Sequence, residues 1–389
     1  MALTTSIIKP EYHLDREDLI VRTPILKVIG LGGGGTNAIK RMMAYGFSGI
    51  EYIAANTDHQ SLADSADMKT ILLGPNCCRG LGAGGNPEIG EKAALESEKE
   101  IRAALEGADM VFLTAGMGGG TGTGAIPVTA RIAKELGAVT VGIVTTPFSF
   151  EIGRRQKNSQ NGLERLNPYS DTLITIPNDR LLLLPEANLT LQKAFRVADD
   201  ILRQGIQGIS ELVTTSGLIN VDFAHIRNMM QNGGGSFLSI GIGIEEDKAV
   251  KAVKQALNHP LLNTIPIENA SGIIANFTGG PDLSFIEVMD ALNFLQDSTN
   301  DNVEIIPGVI NNEQMQNRVE VILVITGLGG TPVDTKIDPS ESSRHPQTRS
   351  LKDEFDTKGL NIDTQIDFTD IPNSSSKLEI PAFLRRRIS

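Results

Sequence analysis

Two glycine-dense loops of one kind dominate the chain, and each constrains the fold around it. Gly30-Leu-Gly32-Gly33-Gly34-Gly35-Thr36-Asn37 follows the apolar run ILKVIGLG (25–32) and opens a helical pattern, TNAIKRMMAYG. Gly116-Met-Gly118-Gly119-Gly120-Thr121-Gly122-Thr123-Gly124 follows ADMVFLTAG (108–116) and opens a second helix carrying Ile126, Val128, Ala130 and Ile132. Glycine lets the backbone take φ > 0 and come close to a ligand. A helix start behind such a loop offers N–H groups without intrahelical partners and a partial positive charge, so each loop suits an anion. A strand feeding a helix through a glycine turn, used twice, predicts a mostly parallel sheet covered by helices.

The remaining apolar runs extend that pattern. GIEYIAAN (49–56), MKTILLG (68–74), AVTVGIVTTP (138–147) and DTLITIPN (171–178) have strand length and alternate with helical segments. The fold class expected is α/β, a Rossmann-like parallel-sheet domain over 25–188, after a polar extension at 1–24. Residues 189–214 then read as one long amphipathic helix, with Leu191, Ala194, Phe195, Ala198, Ile201, Leu202, Ile206, Ile209 and Leu212 at helical spacing. A helix of that length is expected to bridge to a smaller α+β domain over 215–329. Its strands are SFLSIGIG (236–243), ASGIIANFTG (270–279) and RVEVILVITGL (318–328), and its helices DKAVKAVKQALNH (247–259) and LSFIEVMDALNFLQD (283–297). Residues 330–376 have the composition of a disordered linker. Hydrophobicity returns in the tail peptide 377–389, where Ile380, Phe383 and Leu384 stand beside three arginines.

Charge and cysteine usage exclude several classes. Across 389 residues, 35 basic side chains face 47 acidic ones, a net −12. That balance argues against nucleic-acid or broad anionic-membrane binding, which needs a concentrated positive field. The two cysteines, Cys77 and Cys78, are adjacent and cannot chelate zinc at finger spacing or staple a fold. The N-terminus lacks a signal-peptide pattern, and no apolar stretch reaches the roughly 18 residues of a membrane span. The expectation is a soluble protein of a reducing compartment. The five histidines are scattered, so no metal cluster or Ser–His–Asp arrangement is visible.

The loops leave two chemistries open. Gly30-x-Gly32-x-x-Gly35 fits the dinucleotide fingerprint, and Asp58 stands where a ribose-binding acid would, roughly 20 residues on; that reading is a nicotinamide-dependent oxidoreductase. A dinucleotide has one pyrophosphate, however, and the second loop is then surplus. Two such loops at neighbouring strand ends suit a chain of phosphates, with Thr121 and Thr123 as hydroxyl donors. A third segment, Gly82-Ala-Gly84-Gly85-Asn86-Pro87, is placed to close over the terminal phosphate. No GxxxxGK[ST] sequence occurs, which excludes a Walker-type P-loop.

With GGGTGTG (118–124), the loop signature of tubulins and the FtsZ cell-division GTPases, the chain resembles the tubulin/FtsZ family. Its FtsZ branch is the nearer, through GLGGGGTNAIKRM, AANTD (54–58), GLGAGGNPEIG (80–90), TTPFSFEIGRR (145–155), IPNDRLL (176–182), AFRVADDILRQGIQGI (194–209) and GLINVDFAHIRNMM (217–230). The likeness runs nearly collinear from about residue 25 to 328 and resumes at IPAFLR. It implies GTP or GDP with Mg²⁺, the cation being carried by the nucleotide and no side chain serving as metal ligand. The implied phosphate contacts are Gly32, Gly33, Gly34, Gly35, Thr36 and Asn37; Gly84, Gly85 and Asn86; and Gly116, Gly118, Gly119, Gly120, Thr121, Gly122 and Thr123, with Asn56 and Asp58 nearby. Glu151 and Arg155 match sugar contacts. Asn178 and Asp199 match base contacts, a carboxylate being able to accept guanine's N1–H and N2–H₂ together. Phe195, one turn before Asp199, matches a stacking surface, although core packing explains an aromatic on this stripe equally well. A solvated position, or a pair with Arg196 or Arg203, is the alternative for Asp199.

The resemblance further implies hydrolysis shared between molecules, one subunit's loop completing the next subunit's site. That loop is Gly217–His225, with Asn220 and Asp222 matching the family and His225 replacing a catalytic aspartate. An imidazole accepts a proton near neutral pH, but it lacks the negative charge that holds cation-bound water. Alternatively Asp222 acts alone and turnover is slowed, or GTP is bound without productive hydrolysis by a weakened paralogue that co-assembles with an active relative. Slow hydrolysis is the favoured reading. Head-to-tail filaments of the chain itself are expected, forming a cytoplasmic midcell division ring beneath the membrane. Membrane-tethering and regulatory division proteins would dock on Glu379, Ile380, Pro381, Phe383, Leu384 and Arg385.

Overall fold

The computed structural model describes residues 23–44, 49–63, 68–151, 153–181, 191–214, 217–219, 221–231, 234–258, 267, 270–300 and 303–328; the expectations for the N-terminal extension before residue 23, the linker and the tail peptide lie outside them. Every residue of β1 (Leu26–Leu31) is buried, as both-face coverage of a parallel strand requires. β1 lies between β2 (Ile50–Asn56) and β4 (Met110–Gly116), all running the same way. With β3 (Lys69–Leu72), β5 (Val139–Thr146) and β6 (Thr172–Pro177) the order is β3-β2-β1-β4-β5-β6, parallel throughout. The order reverses between β1 and β4, with Leu31 beside Ala115. In an open α/β sheet the crevice outside the C-terminal strand ends at such a reversal is where ligands bind. Both glycine loops leave the sheet at that crevice.

Helices α1 (Gly32–Ala44), α2 (His59–Ala63), α3 (Pro87–Glu96), α4 (Glu98–Leu105), α5 (Thr121–Glu135) and α6 (Arg154–Leu166) connect these strands, and α7 (Asn178–Leu181) leaves the last of them. α8 (Leu191–Thr214) follows as the single long helix expected. It is more than a strut between two bodies. Its buried face, Ala198, Ile201, Leu202, Ile206, Ile209 and Leu212, packs in one continuous core with Phe112, Val141 and Ile143 of the parallel sheet and with Leu238, Ile274 and Ile322 beyond it. Glycine permits the close approach: a Cβ at Gly208 would stand 2.6 Å from Ile322 Cδ1.

The second half comprises α9 (Phe223–Gln231), β7 (Gly234–Ile244), α10 (Lys248–Leu257), β8 (Gly272–Gly279), α11 (Phe285–Asp297), β9 (Glu304–Asn311) and β10 (Arg318–Thr326). β7 belongs to both sheets. Its first residues, 234–236, pair parallel with β6, and 237–244 pair antiparallel with β10. Ten strands are thereby joined, ending β7-β10-β8-β9. Periodicity does not mark β9, because Pro307 interrupts EIIPGVIN. Proline lacks a ladder donor and is tolerated on edges, and β9 is the edge strand. Among the described residues no helix is long and apolar enough to cross a membrane.

Candidate nucleotide site

The three glycine segments meet main chain to main chain. Gly32 takes φ +70°, and a Cβ on it would stand 2.8 Å from the Gly122 nitrogen. One on Gly34 would stand 3.1 Å from the Gly116 nitrogen, and one on Gly120 would stand 2.9 Å from both Ala83 Cβ and the Asn86 nitrogen. These glycines hold the loops together. Gly33, Gly84, Gly85 and Gly119 differ, since a Cβ on any of them meets nothing within 4 Å. They border open space instead, as a cradle for a bound group would.

Polar atoms after the C-terminal ends of the same sheet's strands lack partners among the described residues. Thr36 Oγ1, just past the first turn of α1, Thr123 Oγ1 in the first turn of α5 and Asn178 Oδ1 at the start of α7 are all buried without a hydrogen bond among the described residues. A buried polar group left so costs about 1–3 kcal/mol. All three follow the C-terminal ends of parallel strands, β1, β4 and β6. Main-chain N–H groups, threonine hydroxyls and helix starts form a donor set that fits phosphate, and the open cradle leaves room for it. Thr121 is engaged differently, its hydroxyl lying 2.6 Å from that of Thr57. Thr57, within AANTD, is a connecting residue that sequence reasoning did not single out.

Other candidates support the loops from within. Asn56 is buried, and its Oδ1 accepts from the Asp58 nitrogen at 3.3 Å. The Asp58 carboxylate caps α2, accepting from the Gln60 nitrogen at 2.9 Å and Ser61 Oγ at 3.0 Å. That engagement weighs against its use as a free ribose-binding acid and against the oxidoreductase reading. Asn86 caps α3 through the Glu88 nitrogen at 3.0 Å. Asn158 on α6, another residue not anticipated, donates to the carbonyls of Gly85 and Gly118, each at 3.4 Å. It ties the third segment to the second, a role with no local sequence signal. Asn37 is half-buried beside Thr36.

Glu151 and Arg155 form an ion pair at 2.6 Å. Glu151 also accepts from the Phe148 nitrogen at 2.9 Å, so it shapes the loop after β5. Asp199 pairs with Arg41 of α1 at 2.6 Å. Burial pushes its carboxyl up to about 6, with the Arg41 charge pulling the other way. Phe195 stands four positions earlier on the same helix.

The 217–225 loop lies elsewhere. A Cβ on Gly49, which precedes β2, would stand 3.5 Å from Cγ2 of Thr214 at the end of α8. Arg227 of α9 donates to the Gly137 carbonyl at 3.0 Å, just before β5. Both contacts are at N-terminal strand ends, opposite the glycine loops. Asp222 is exposed and caps α9, its Oδ1 accepting from the Ala224 nitrogen at 3.0 Å. His225 is exposed in the first turn of that helix. Asn220 lies outside the described residues. One sheet thus separates the phosphate cradle from the acidic loop.

The family model described as Tubulin/FtsZ family, GTPase domain, matches residues 25–184, and that described as FtsZ family, C-terminal domain, matches 234–329. The chain is similar to an empty FtsZ dimer from M. jannaschii at 45% identity and TM-score 0.74, covering 79% of this chain and 88% of that one. A tryptophan-to-tyrosine point mutant of FtsZ from M. jannaschii matches at 45% identity and TM-score 0.74, over 78% and 91%. A GTPgS-bound CetZ2 protofilament from Haloferax volcanii shares the fold at 20% identity and TM-score 0.66, over 82% and 95%.

Proposed function

The chain belongs to the tubulin/FtsZ family of GTPases, in its FtsZ branch, and from that premise we infer that it binds GTP in the glycine cradle, stacks head to tail and hydrolyses the nucleotide between subunits. One observation carries the reading: the cradle and Asp222 occupy opposite edges of the same sheet. The α8 helix between them, 24 residues long, spans about 36 Å at 1.5 Å per residue. Asp222 therefore cannot reach the phosphates of its own molecule. A copy stacked on the first brings its acidic loop to them. Such a heterologous contact, if its rotation does not close, builds an open filament.

Exposed apolar side chains stand at both ends, where such stacking needs them. Leu81, 84% exposed, and Phe150, 54% exposed, flank the cradle. Leu218, 73% exposed, precedes Asp222, and Phe285 and Ile286 open α11. Leu218 hydrogen-bonds Val309 of β9, whose register partner Phe277 is near the end of β8 that leads into α11. The FtsZ of M. jannaschii with the same fold has been seen as a dimer.

The residues divide the work by position. Main-chain N–H groups of the two loops and the hydroxyls of Thr36 and Thr123 bind the phosphates. Asn178 and Asp199 orient the base, and Glu151 and Arg155 the sugar. Asp222 of the neighbouring copy positions the attacking water. A magnesium ion carried by the nucleotide's phosphates and water, with no side chain as ligand, would supply charge neutralisation at the transferred group. His225 brings no negative charge to that water, which supports slow hydrolysis; the second reading, a weakened paralogue assembling with an active relative, rests on the same residue. A division ring beneath the membrane, with partners recruited through Ile380, Phe383 and Leu384, is the cellular form of this proposal.

Sedimentation and phosphate release scored together, with GTP and magnesium, test the proposal. Pelleting with slow phosphate release is expected. Absence of both GTP uptake and pelleting overturns it, and pelleting with no phosphate release selects the paralogue reading.

A further inference from the structure

Both cysteines of the chain stand side by side in the turn 75–80, and the nucleotide chemistry uses neither. Their Sγ atoms are 3.5 Å apart, in contact. The turn that carries them is held firmly: the Glu96 carboxylate accepts from the nitrogens of Asn76 at 2.7 Å and Cys77 at 3.1 Å, and the Cys78 nitrogen donates to the Gly74 carbonyl at 2.9 Å. Cys78 is buried at 6% exposure, while Cys77 is half-buried and reachable. We propose that Cys77 and Cys78 form a preassembled two-thiol site that captures one soft trivalent centre of the organoarsenical class, Cys77 reacting first and Cys78 closing the chelate.

Geometry separates this from the obvious rivals. A disulfide needs sulfurs about 2.05 Å apart and Cα atoms at least about 4.4 Å apart, whereas neighbours across a trans peptide are held at about 3.8 Å. Direct oxidation would strain the turn. Sulfurs bonded at about 2.3 Å to one pyramidal trivalent centre, whose lone pair holds the bond angles to roughly 95–100°, lie roughly 3.4–3.5 Å apart, the spacing already present. A zinc site would need further ligands, and among the described residues no group of three or more metal-ligating side chains occurs. With an arsenic oxide, R–As=O, both S–H bonds and the As=O bond break, two As–S bonds form, and the two protons leave with the oxygen as one water. Arsenic keeps its oxidation state, so no oxidant is needed.

Capture has a consequence for assembly. The Leu81 nitrogen donates to the Cys78 carbonyl at 3.0 Å, and the Gly82 nitrogen to the Thr57 carbonyl at 3.0 Å. The group carried on arsenic is thereby introduced beside exposed Leu81, on the face expected to meet the next subunit. This second effect rests on the head-to-tail reading; capture itself does not.

Phenylarsine oxide with the full chain is the test, read by intact-mass spectrometry. One adduct per chain is expected, with one water lost and both thiols blocked to alkylation. It should resist excess 2-mercaptoethanol and be released by 2,3-dimercaptopropanol. Cys77→Ser and Cys78→Ser, each checked for a native melting transition, should lose the monothiol-resistant adduct. An equally resistant adduct on either variant, or spontaneous formation of a Cys77–Cys78 disulfide in place of capture, overturns the site. Adducted wild type should fail to pellet with GTP, while Cys77→Ser treated alike pellets. Normal pelleting of the adduct would refute the link to assembly without touching capture, and the mass result stands whether or not the chain binds GTP.

Discussion

At the scale of single residues, the charge balance at Asp199 is decisive. In the proposed base contact its carboxyl must be ionised to accept two donors from guanine, yet burial raises it to about 6 while the Arg41 charge pulls it down. GTP affinity should therefore fall as the pH drops below about 6, measured by fluorescence of a labelled guanine nucleotide. Stability of the nucleotide-free protein moves the other way. The folded state takes up a proton near 6 that the unfolded chain takes up near 3.8, so this group makes the fold more stable as the pH falls between those values. Arg41→Ala removes the opposing charge. A lost charge-assisted hydrogen bond of roughly 1.5–3 kcal/mol predicts GTP binding weakened about tenfold or more at neutral pH. The second residue-scale prediction concerns His225, at the third position of α9 after its Asp222 cap. An acidic side chain is favoured in a first helical turn, so His225→Asp should fold well. It should raise phosphate release in assembled protein and leave nucleotide affinity unchanged; release that stays level or falls counts against the proposed role of this position.

Elements matter where α8 is shared between the two sheets. A glycine inside a helix costs about 1 kcal/mol relative to alanine, and α8 keeps both Gly205 and Gly208 where β7 and β10 approach. A Cβ on Gly208 would lie 2.6 Å from Ile322 Cδ1 and 2.9 Å from its Cγ2. Gly208→Val should then lower stability by about 1–3 kcal/mol through overpacking, seen as an earlier urea midpoint. Adding Ile322→Ala should return part of that loss, since the clash is with this one side chain. If the double variant is no better than the sum of the singles, the contact is not what keeps glycine there.

For the whole molecule, the separation of cradle and acidic loop by the sheet predicts complementation. A chain with Asp222→Ala keeps its cradle but offers no acid to the next subunit. A chain with Gly122→Val, whose Cβ would meet the Leu31 carbonyl at 3.0 Å, loses the cradle but keeps Asp222. Each alone should release little phosphate, and their mixture should release more than the sum. No gain on mixing, with both variants folded, argues that hydrolysis does not cross between molecules. Leu218→Glu and Phe285→Glu should both abolish pelleting without changing GTP affinity.

The amino-acid order alone determined the local pieces: apolar runs at strand length, glycine turns feeding helices, and the three–four spacing of α8. These are legible because strand and helix periods, and the freedom of glycine, act between near neighbours. Even there the edge strand β9 was hidden by Pro307, whose tolerance depends on having no partner on one side. Tertiary structure decided the rest. Arg41 is far from Asp199 along the chain, Asn158 reaches loops well upstream of it, and Thr57 meets Thr121 across the crevice. Pairings of this kind have no sequence period, since they arise only when the reversal of strand order between β1 and β4 carries distant segments to one edge. The same packing fixed the 217–225 loop at the opposite ends of the strands from the glycine cradle, and the proposed sharing of one site between two copies rests on that separation.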